Sequence, residues 1–306
     1  MVSGVKKLDF PNRITVELTN DCNLACTFCN HQKINMNMGY MKDELFRKII
    51  DEMSDYLPIK LVPFFRGEPL LHPHILSFIK YAKKRGIGPI QLTSNALLLT
   101  EELQDGLIDA GVDFVSFSLD TLDPEIYKCA RVNGDLEISS HNVESFCDKC
   151  KQGKKRGKKV PTVQVSTINM HPYRENIEQF KNKWLNYADI VRIYEEHDEK
   201  GHIVDPDVRK KLIGIDDRRP CRKVFTDMII YWDGRFAMCN YDWDDRYDFG
   251  NANTMSLVDV WNGEQYEKIR DMHLQSVFPN ECMCFECQHW KIDYTESGYI
   301  GESFRA

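Results

Sequence analysis

No stretch of the 306-residue chain approaches the roughly 20 consecutive apolar residues that a membrane span needs. The first ten residues, Met1 to Phe10, lack the apolar core of an export signal. The expectation is a cytoplasmic protein with no membrane partner. An excess of basic charge is also missing. Lys and Arg number 40 against 47 Asp and Glu, a formal charge of −7, which opposes indiscriminate attraction to phosphate backbones. Nucleic acid is therefore not expected, and a small-molecule substrate fits better. Internal repeats and low-complexity linkers are absent. Disorder is excluded by composition: 42% of residues are hydrophobic and 28% charged, enough apolar side chains for one large core and a smaller appendage.

What is present in quantity is cysteine. Eleven is an odd number, and without an export signal a disulfide framework fits worse than reduced thiols or metal ligands. Cys22, Cys26 and Cys29 lie within eight residues, Cys282, Cys284 and Cys287 within six, and Cys221 and Cys239 form a spaced pair. Cys129, Cys147 and Cys150 fall on or near helical patterns, where free cysteine behaves as a small hydrophobe.

The first two thirds of the chain alternate short β-type runs with amphipathic stretches, which predicts an α/β fold with parallel strands and crossover helices. Strands are expected at Ile14–Leu18, Lys60–Phe65, Pro89–Thr93, Phe114–Leu119, Thr162–Ile168 and Ile190–Tyr194. Helices are expected at Lys42–Tyr56, Pro73–Lys84, Glu101–Ala110, Glu137–Cys150 and Arg174–Tyr187. Six such units predict a partial (β/α)6 barrel of the TIM type, with active residues at the C-terminal strand ends. The division expected is residues 1–200 for the barrel and 201–306 for a small β-hairpin and loop domain. That second domain begins with a hairpin at Met228–Met238, turned by Asp233-Gly234. The basic run from Lys149 to Lys159 reads as a solvated connection, or as a docking site for an acidic partner.

Cys22-x-x-x-Cys26-x-x-Cys29 follows the first strand and so occupies the loop at its C-terminal end. Structural zinc wants four closed ligands, and three thiolates on one short loop fit that badly. A cubane iron–sulfur cluster held by three thiolates keeps one iron open to an exogenous ligand, whereas clusters that only carry electrons usually have four protein ligands.

This loop resembles the hallmark of the radical S-adenosylmethionine (radical SAM) superfamily. The resemblance implies a [4Fe–4S] cluster on Cys22, Cys26 and Cys29, with S-adenosylmethionine chelating the open iron. Reductive cleavage of that cofactor would yield methionine and a 5′-deoxyadenosyl radical that abstracts a substrate hydrogen. An external flavodoxin- or ferredoxin-type donor would supply the electron. Companion motifs carry further cofactor-binding positions. Phe28 matches the aromatic beside the adenine. Gly67-Glu68-Pro69 resembles the family's Gly-Gly-Glu element for the cofactor's ammonium, with Arg66 in place of the first Gly. Thr93-Ser94-Asn95 resembles its Thr-Asn-Gly, shifted by one residue. Ser118-Leu119-Asp120 followed by Arg131 looks like the pattern whose Ser and Arg hold ribose or carboxylate, a role suited to the two-pronged guanidinium. Asp120 has a plainer reading, as a cap for the helix start at Asp123-Pro124-Glu125. Ser166 and Ile168 match positions that line ribose and adenine.

In the tail, Cys221, Cys239, Cys284 and Cys287 can close around a second [4Fe–4S] cluster or around zinc, and ligand chemistry alone does not separate them. Gly250-Asn251-Ala252-Asn253, Val258-Asp259-Val260-Trp261-Asn262 and Ile269-Arg270 are similar to elements of the SPASM and shorter twitch domains. That similarity implies one auxiliary [4Fe–4S] cluster, with Cys282 an alternative to Cys284. Together these features resemble the small-molecule radical SAM dehydrogenases and epimerases, and imply oxidation or epimerisation of a sugar or aminocyclitol. Maturation of a ribosomal peptide is one alternative, and a non-catalytic iron–sulfur or zinc scaffold another. Substrate chemistry would need a base or hydrogen donor. The candidates are Arg192, Tyr194 and Glu195, with Glu196, His197 and Asp227 nearby; alternation leaves the inward face of the sixth strand undetermined.

Overall fold

The computed structural model describes residues 5–33, 36–198, 204, 218–243, 246–294 and 301–306. Helix α1 (Asp43–Met53) opens on Asp43 and Glu44, which suit the positive end of its dipole, and buries Leu45, Phe46, Ile49, Ile50 and Met53 along one stripe. Helix α2 spans Ile75–Lys84. Helix α3 (Glu101–Ala110) starts where the Thr100 side chain accepts the Leu103 N–H, and stops at Gly111, whose φ of 85° is the left-handed conformation glycine adopts without strain.

All six expected strands form: β1 (Arg13–Val16), β3 (Lys60–Val62), β4 (Gln91–Ser94), β5 (Phe114–Ser118), β7 (Thr162–Asn169) and β8 (Ile190–Glu195), while β2 (Ala25–Cys26) lies between the first two. β1 pairs in parallel with β3, and β4, β5, β7 and β8 pair in parallel in that order. A lone parallel bridge, Leu61 to Ile90, joins the two groups. The result is an open α/β barrel, with Val115, Phe117, Val163, Val165 and Val191 packed outward under α2, α3, α5 (Leu136–Lys155) and α6 (Ile177–Leu185).

Three features depart from the sequence reading. The C-terminal hairpin, β9 (Asp227–Ile230) and β10 (Phe236–Ala237), does not stand apart from the barrel: β9 pairs in parallel with β1 over four residues, extending the sheet at that edge. At the opposite edge β11 (Gly301–Arg305) runs antiparallel to β8. Both exposed ladder edges of the parallel sheet are thereby covered, the usual answer to unpaired strand edges. Lastly, α5 continues five residues past its expected end at Cys150. The basic run completes that helix and pairs with acids on other elements, Lys149 with Asp105, Lys154 with Asp189 and Lys159 with Asp113.

The C-terminal segment adds α7 (Lys223–Thr226), α8 (Leu257–Trp261) and α9 (Glu264–Gln275). These pack on the main core through Leu257, Val260, Trp261, Tyr266 and Ile269. Cys147 and Cys150 are core residues as expected, whereas Cys129, on α4 (Pro124–Ala130), is exposed. No described helix is long and apolar enough to cross a membrane.

Candidate active site with two cysteine centres

The cysteine loop lies above the C-terminal end of β1 and is anchored from several sides. Within it β2 pairs antiparallel with β6 (Arg131–Val132), setting Cys26 opposite Arg131. Arg131 Nη1 is 4.0 Å from Cys26 Sγ, and its guanidinium stands 5.6 Å from the Phe28 ring centre. Its Nε donates to Asp120 at 2.7 Å. Asp120 therefore pairs with Arg131, and the cap of α4 is Asp123, which accepts the N–H groups of Glu125 and Ile126. Asp120 adopts a φ of 64°, a conformation held here by its ion pair and by the Thr167 hydroxyl, which donates to its carbonyl at 2.6 Å.

Gly67 lies directly under the loop. A Cβ there would come within 2.3 Å of the Asp21 carbonyl and 2.5 Å of the Thr19 carbonyl, so only glycine fits. The next residue, Glu68, is buried and acts as a hub. It accepts the Leu70 N–H, the Ser94 hydroxyl (2.9 Å) and the Asn95 N–H (2.9 Å), while its own N–H donates to Asp21 O. Burial raises its pKa, and these three donors pull the other way. Ser94 and Asn95 thus act through Glu68, and the next residue, Ala96, takes a φ of 65°. Pro69 opens the short turn after Glu68 and is buried. Ser118 lies at the end of β5 next to Ser166 in register, and Ile168 follows two residues on.

Burial dominates the thiols. Cys22 is pushed up to about 12, with Glu68, Cys26 and Cys29 adding to the effect, while Cys26 is raised by burial against the opposing pull of Arg131. Cys22 and Cys26 feel the neighbouring thiols, and a strong cation is needed to make the three thiolates together. Arg66, which departs from the family's glycine, is fully buried in a bidentate pair with Glu17 at 2.7 and 2.8 Å. It also donates to the Trp243 carbonyl at 2.8 Å and stacks on Tyr231 at 4.1 Å, tying the barrel to the C-terminal hairpin.

At the second centre, a small cavity is lined by Cys221, Cys239, Cys284 and Cys287 together with Arg218, His273, His289 and Trp290. Cys282 is not on that wall; its sulfur accepts from the Tyr247 hydroxyl at 3.8 Å. A cleft of about 440 Å³ is lined by Asn30 and Lys33, just past Cys29, and by Cys239, Cys282, Cys284 and Cys287, so Cys282 faces this cleft rather than the cavity. Among the described residues no three His, Cys, Asp or Glu side chains are grouped to hold one metal ion.

The profile of the radical SAM superfamily matches residues 16–183, more than half of the sequence. The chain belongs to the radical SAM superfamily. An iron–sulfur cluster-binding domain of the SPASM type matches residues 221–288. A radical SAM chain with this domain carries a SAM-binding [4Fe–4S] cluster, an auxiliary cluster and S-adenosylmethionine. Among similar proteins, the "Tungsten-containing aldehyde ferredoxin oxidoreductase cofactor-modifying protein" of Pyrococcus furiosus is 25% identical over 315 positions, covering 89% of this chain and 86% of that one. A "Probable GTP 3′,8-cyclase" of Methanocaldococcus jannaschii is 36% identical over 136 residues, less than half of either protein (44% and 45%). In fold, the chain resembles BtrN in complex with AdoMet and 2-DOIA (TM-score 0.56, 15% identity, 86% of this chain and 87% of that chain). It also resembles SuiB of Streptococcus suis bound to the precursor peptide SuiA (TM-score 0.68, 16% identity, 97% and 76%).

The residues present fit both kinds of group. The thiols are soft donors suited to iron–sulfur chemistry. Beside the first centre the Tyr173 hydroxyl is buried without a hydrogen-bond partner among the described residues. Its ring meets Phe28 edge-on at 6.2 Å, and its pKa is raised by burial and by Asp120. Sequence reasoning missed Tyr173, whose signal was only an aromatic in the turn after the fifth barrel strand. It also missed Arg218 and His273 at the second centre.

The sixth barrel strand separates the three candidate substrate residues. Arg192 and Tyr194 pair in register with Ser166 and Ile168. Gln164, on that same inner face of β7, donates to Ser116 Oγ at 2.8 Å and reaches the Tyr194 hydroxyl at 3.5 Å. Glu195 lies on the other face, where it accepts from Asn169 at 3.0 Å.

Proposed function

We propose that this radical SAM enzyme oxidises or epimerises a small polar molecule such as a sugar or aminocyclitol, with Cys221, Cys239, Cys284 and Cys287 holding one auxiliary cluster as electron acceptor. The observation that carries the reading is the small cavity whose wall brings together those four cysteines. A single auxiliary centre joined by a cleft to the first suits a substrate-derived electron that must leave. The fold likeness to BtrN supports this choice.

When bound and reduced by a flavodoxin- or ferredoxin-type donor, the three-thiolate cluster supplies the electron that cleaves S-adenosylmethionine and so generates the 5′-deoxyadenosyl radical. The chain's residues do the rest. Cys22, Cys26 and Cys29 hold that cluster. Gly67 lets the β1 loop approach, and Glu68 fixes the ends of β3 and β4 around the cofactor's amino-acid half, with Pro69 setting the turn. Arg131, kept in place by Asp120, presents a guanidinium for the carboxylate or ribose, and Ser118, Ser166, Ile168 and Phe28 line the nucleoside. Tyr194 and Arg192 face the barrel interior, where Tyr194 is placed to take a proton from a substrate hydroxyl and Arg192 to orient it. Glu195, on the opposite face, supports the strand end.

Peptide maturation is the second reading, favoured by the likeness to SuiB with its precursor peptide over 97% of this chain. Anaerobic reconstitution with candidate polyols in deuterated form separates the two. Deuterium appearing in 5′-deoxyadenosine supports a small-molecule substrate. Turnover only with a peptide overturns that choice.

A further inference from the structure

Two buried donors on the wall of the auxiliary cavity have no acceptor among the described residues. Arg218 spends Nη1 and Nη2 on the carbonyls of Cys287 and Cys284, at 2.7 and 2.9 Å, while its Nε–H has no partner. His273, 1% exposed, accepts the Cys221 N–H at Nδ1 at 3.3 Å. That bond places the ring proton on Nε2, and this second N–H is also buried without a partner. Both side chains line the same cavity as Cys221, Cys239, Cys284 and Cys287. A buried N–H is expensive to leave unmade, so two of them beside four sulfurs require an acceptor in whatever fills the cavity. Sulfur is the acceptor at hand.

N–H groups aimed at cluster sulfur, and a fixed positive charge beside it, stabilise the more negative reduced state. Lys223 adds a second cation to the wall. The buried carboxylate of Asp242, near Cys239, acts in the opposite sense, but is itself held by the N–H groups of Met238 and Arg246. We propose that Arg218 and His273 raise the potential of the auxiliary cluster and so favour its acceptance of the substrate's electron. The proposal rests on the oxidation reading above. A substrate carbinol that has lost a hydrogen atom gives its hydroxyl proton to a base and one electron to the auxiliary centre. It leaves as a carbonyl, and the centre is reduced by one electron.

The test is a redox titration of the full chain followed by electron paramagnetic resonance, in a background with Cys22, Cys26 and Cys29 changed to Ala so that only the auxiliary signal remains. Arg218→Met removes the charge and the carbonyl clamp. Arg218→Lys keeps the charge. His273→Asn keeps an acceptor for the Cys221 N–H and deletes the Nε2 donor. The expected result is a midpoint potential that falls in Arg218→Met and His273→Asn, and falls less in Arg218→Lys, with iron content retained in at least the His273 variant. Potentials equal to the parent's in iron-replete His273→Asn and Arg218→Lys overturn the proposal and leave the oxidation reading standing. The expected fall, combined with an auxiliary centre that never becomes reduced during turnover, overturns that reading and leaves the donor assignment intact.

Discussion

Tyr173 illustrates how a single buried atom points to a ligand. Its hydroxyl carries a desolvation cost with no bond to offset it among the described residues. Tyr173→Phe is therefore expected to leave the unfolding temperature of the cofactor-free protein unchanged or slightly higher. S-adenosylmethionine should bind about tenfold more weakly, the worth of one hydrogen bond of about 1.4 kcal/mol. Equilibrium dialysis and thermal unfolding with and without cofactor check both signs; a less stable free protein with unchanged affinity would show a purely structural hydroxyl. Arg66 carries a different consequence. Removing it leaves Glu17 buried and unpaired, so Arg66→Met should cost about 3–5 kcal/mol in denaturant unfolding. The double variant with Glu17→Gln should recover part of that loss, because no unpaired charge is left in the core.

At the scale of elements, the barrel was legible because its signals are local: apolar stripes for the helices, a Thr cap and a Gly stop around α3, and β-type runs between them. The cysteine spacing and the strand-end motifs were legible for the same reason. The edge strands were not, because β9 and β11 are chosen by long-range pairing with β1 and β8 rather than by their own pattern. The extension of α5 was hidden by treating its lysines as a charge run. Their partners, Asp105, Asp113 and Asp189, lie on other elements. Alternation sends Arg192 and Tyr194 to one face of the sixth strand and Glu195 to the other, but it could not say which of the two faces inward.

Asp113 shows what such long-range pairing contributes. Burial alone would raise its carboxyl, but Lys83, the Ile90 N–H and Lys159 overcome it, and its pKa lies below the ordinary 3.8. A depressed carboxylate stabilises the fold fully above that value and loses the contribution as pH falls through the lowered one. Asp113→Asn should thus unfold at a lower temperature than the parent at neutral pH, and the gap should close below about pH 3.8 in a thermal series. A gap independent of pH would contradict the ion-pair account.

For the whole molecule, the cleft and the Arg66 tie set two cysteine centres in one body, a barrel centre and a C-terminal one bridged by the β9–β10 hairpin. Two [4Fe–4S] clusters require about eight irons per chain after anaerobic reconstitution, and about four when Cys284 is replaced by Ala. Cys282→Ala should keep about eight, because Cys282 faces the adjoining cleft and not the cavity that the four ligands share. The most direct measurement is the yield of 5′-deoxyadenosine from reduced, reconstituted protein given S-adenosylmethionine. Wild type and Cys284→Ala are expected to form it and Cys26→Ala to form none. Iron-replete wild type that forms none, or a Cys26→Ala variant that forms as much as wild type, would contradict the account.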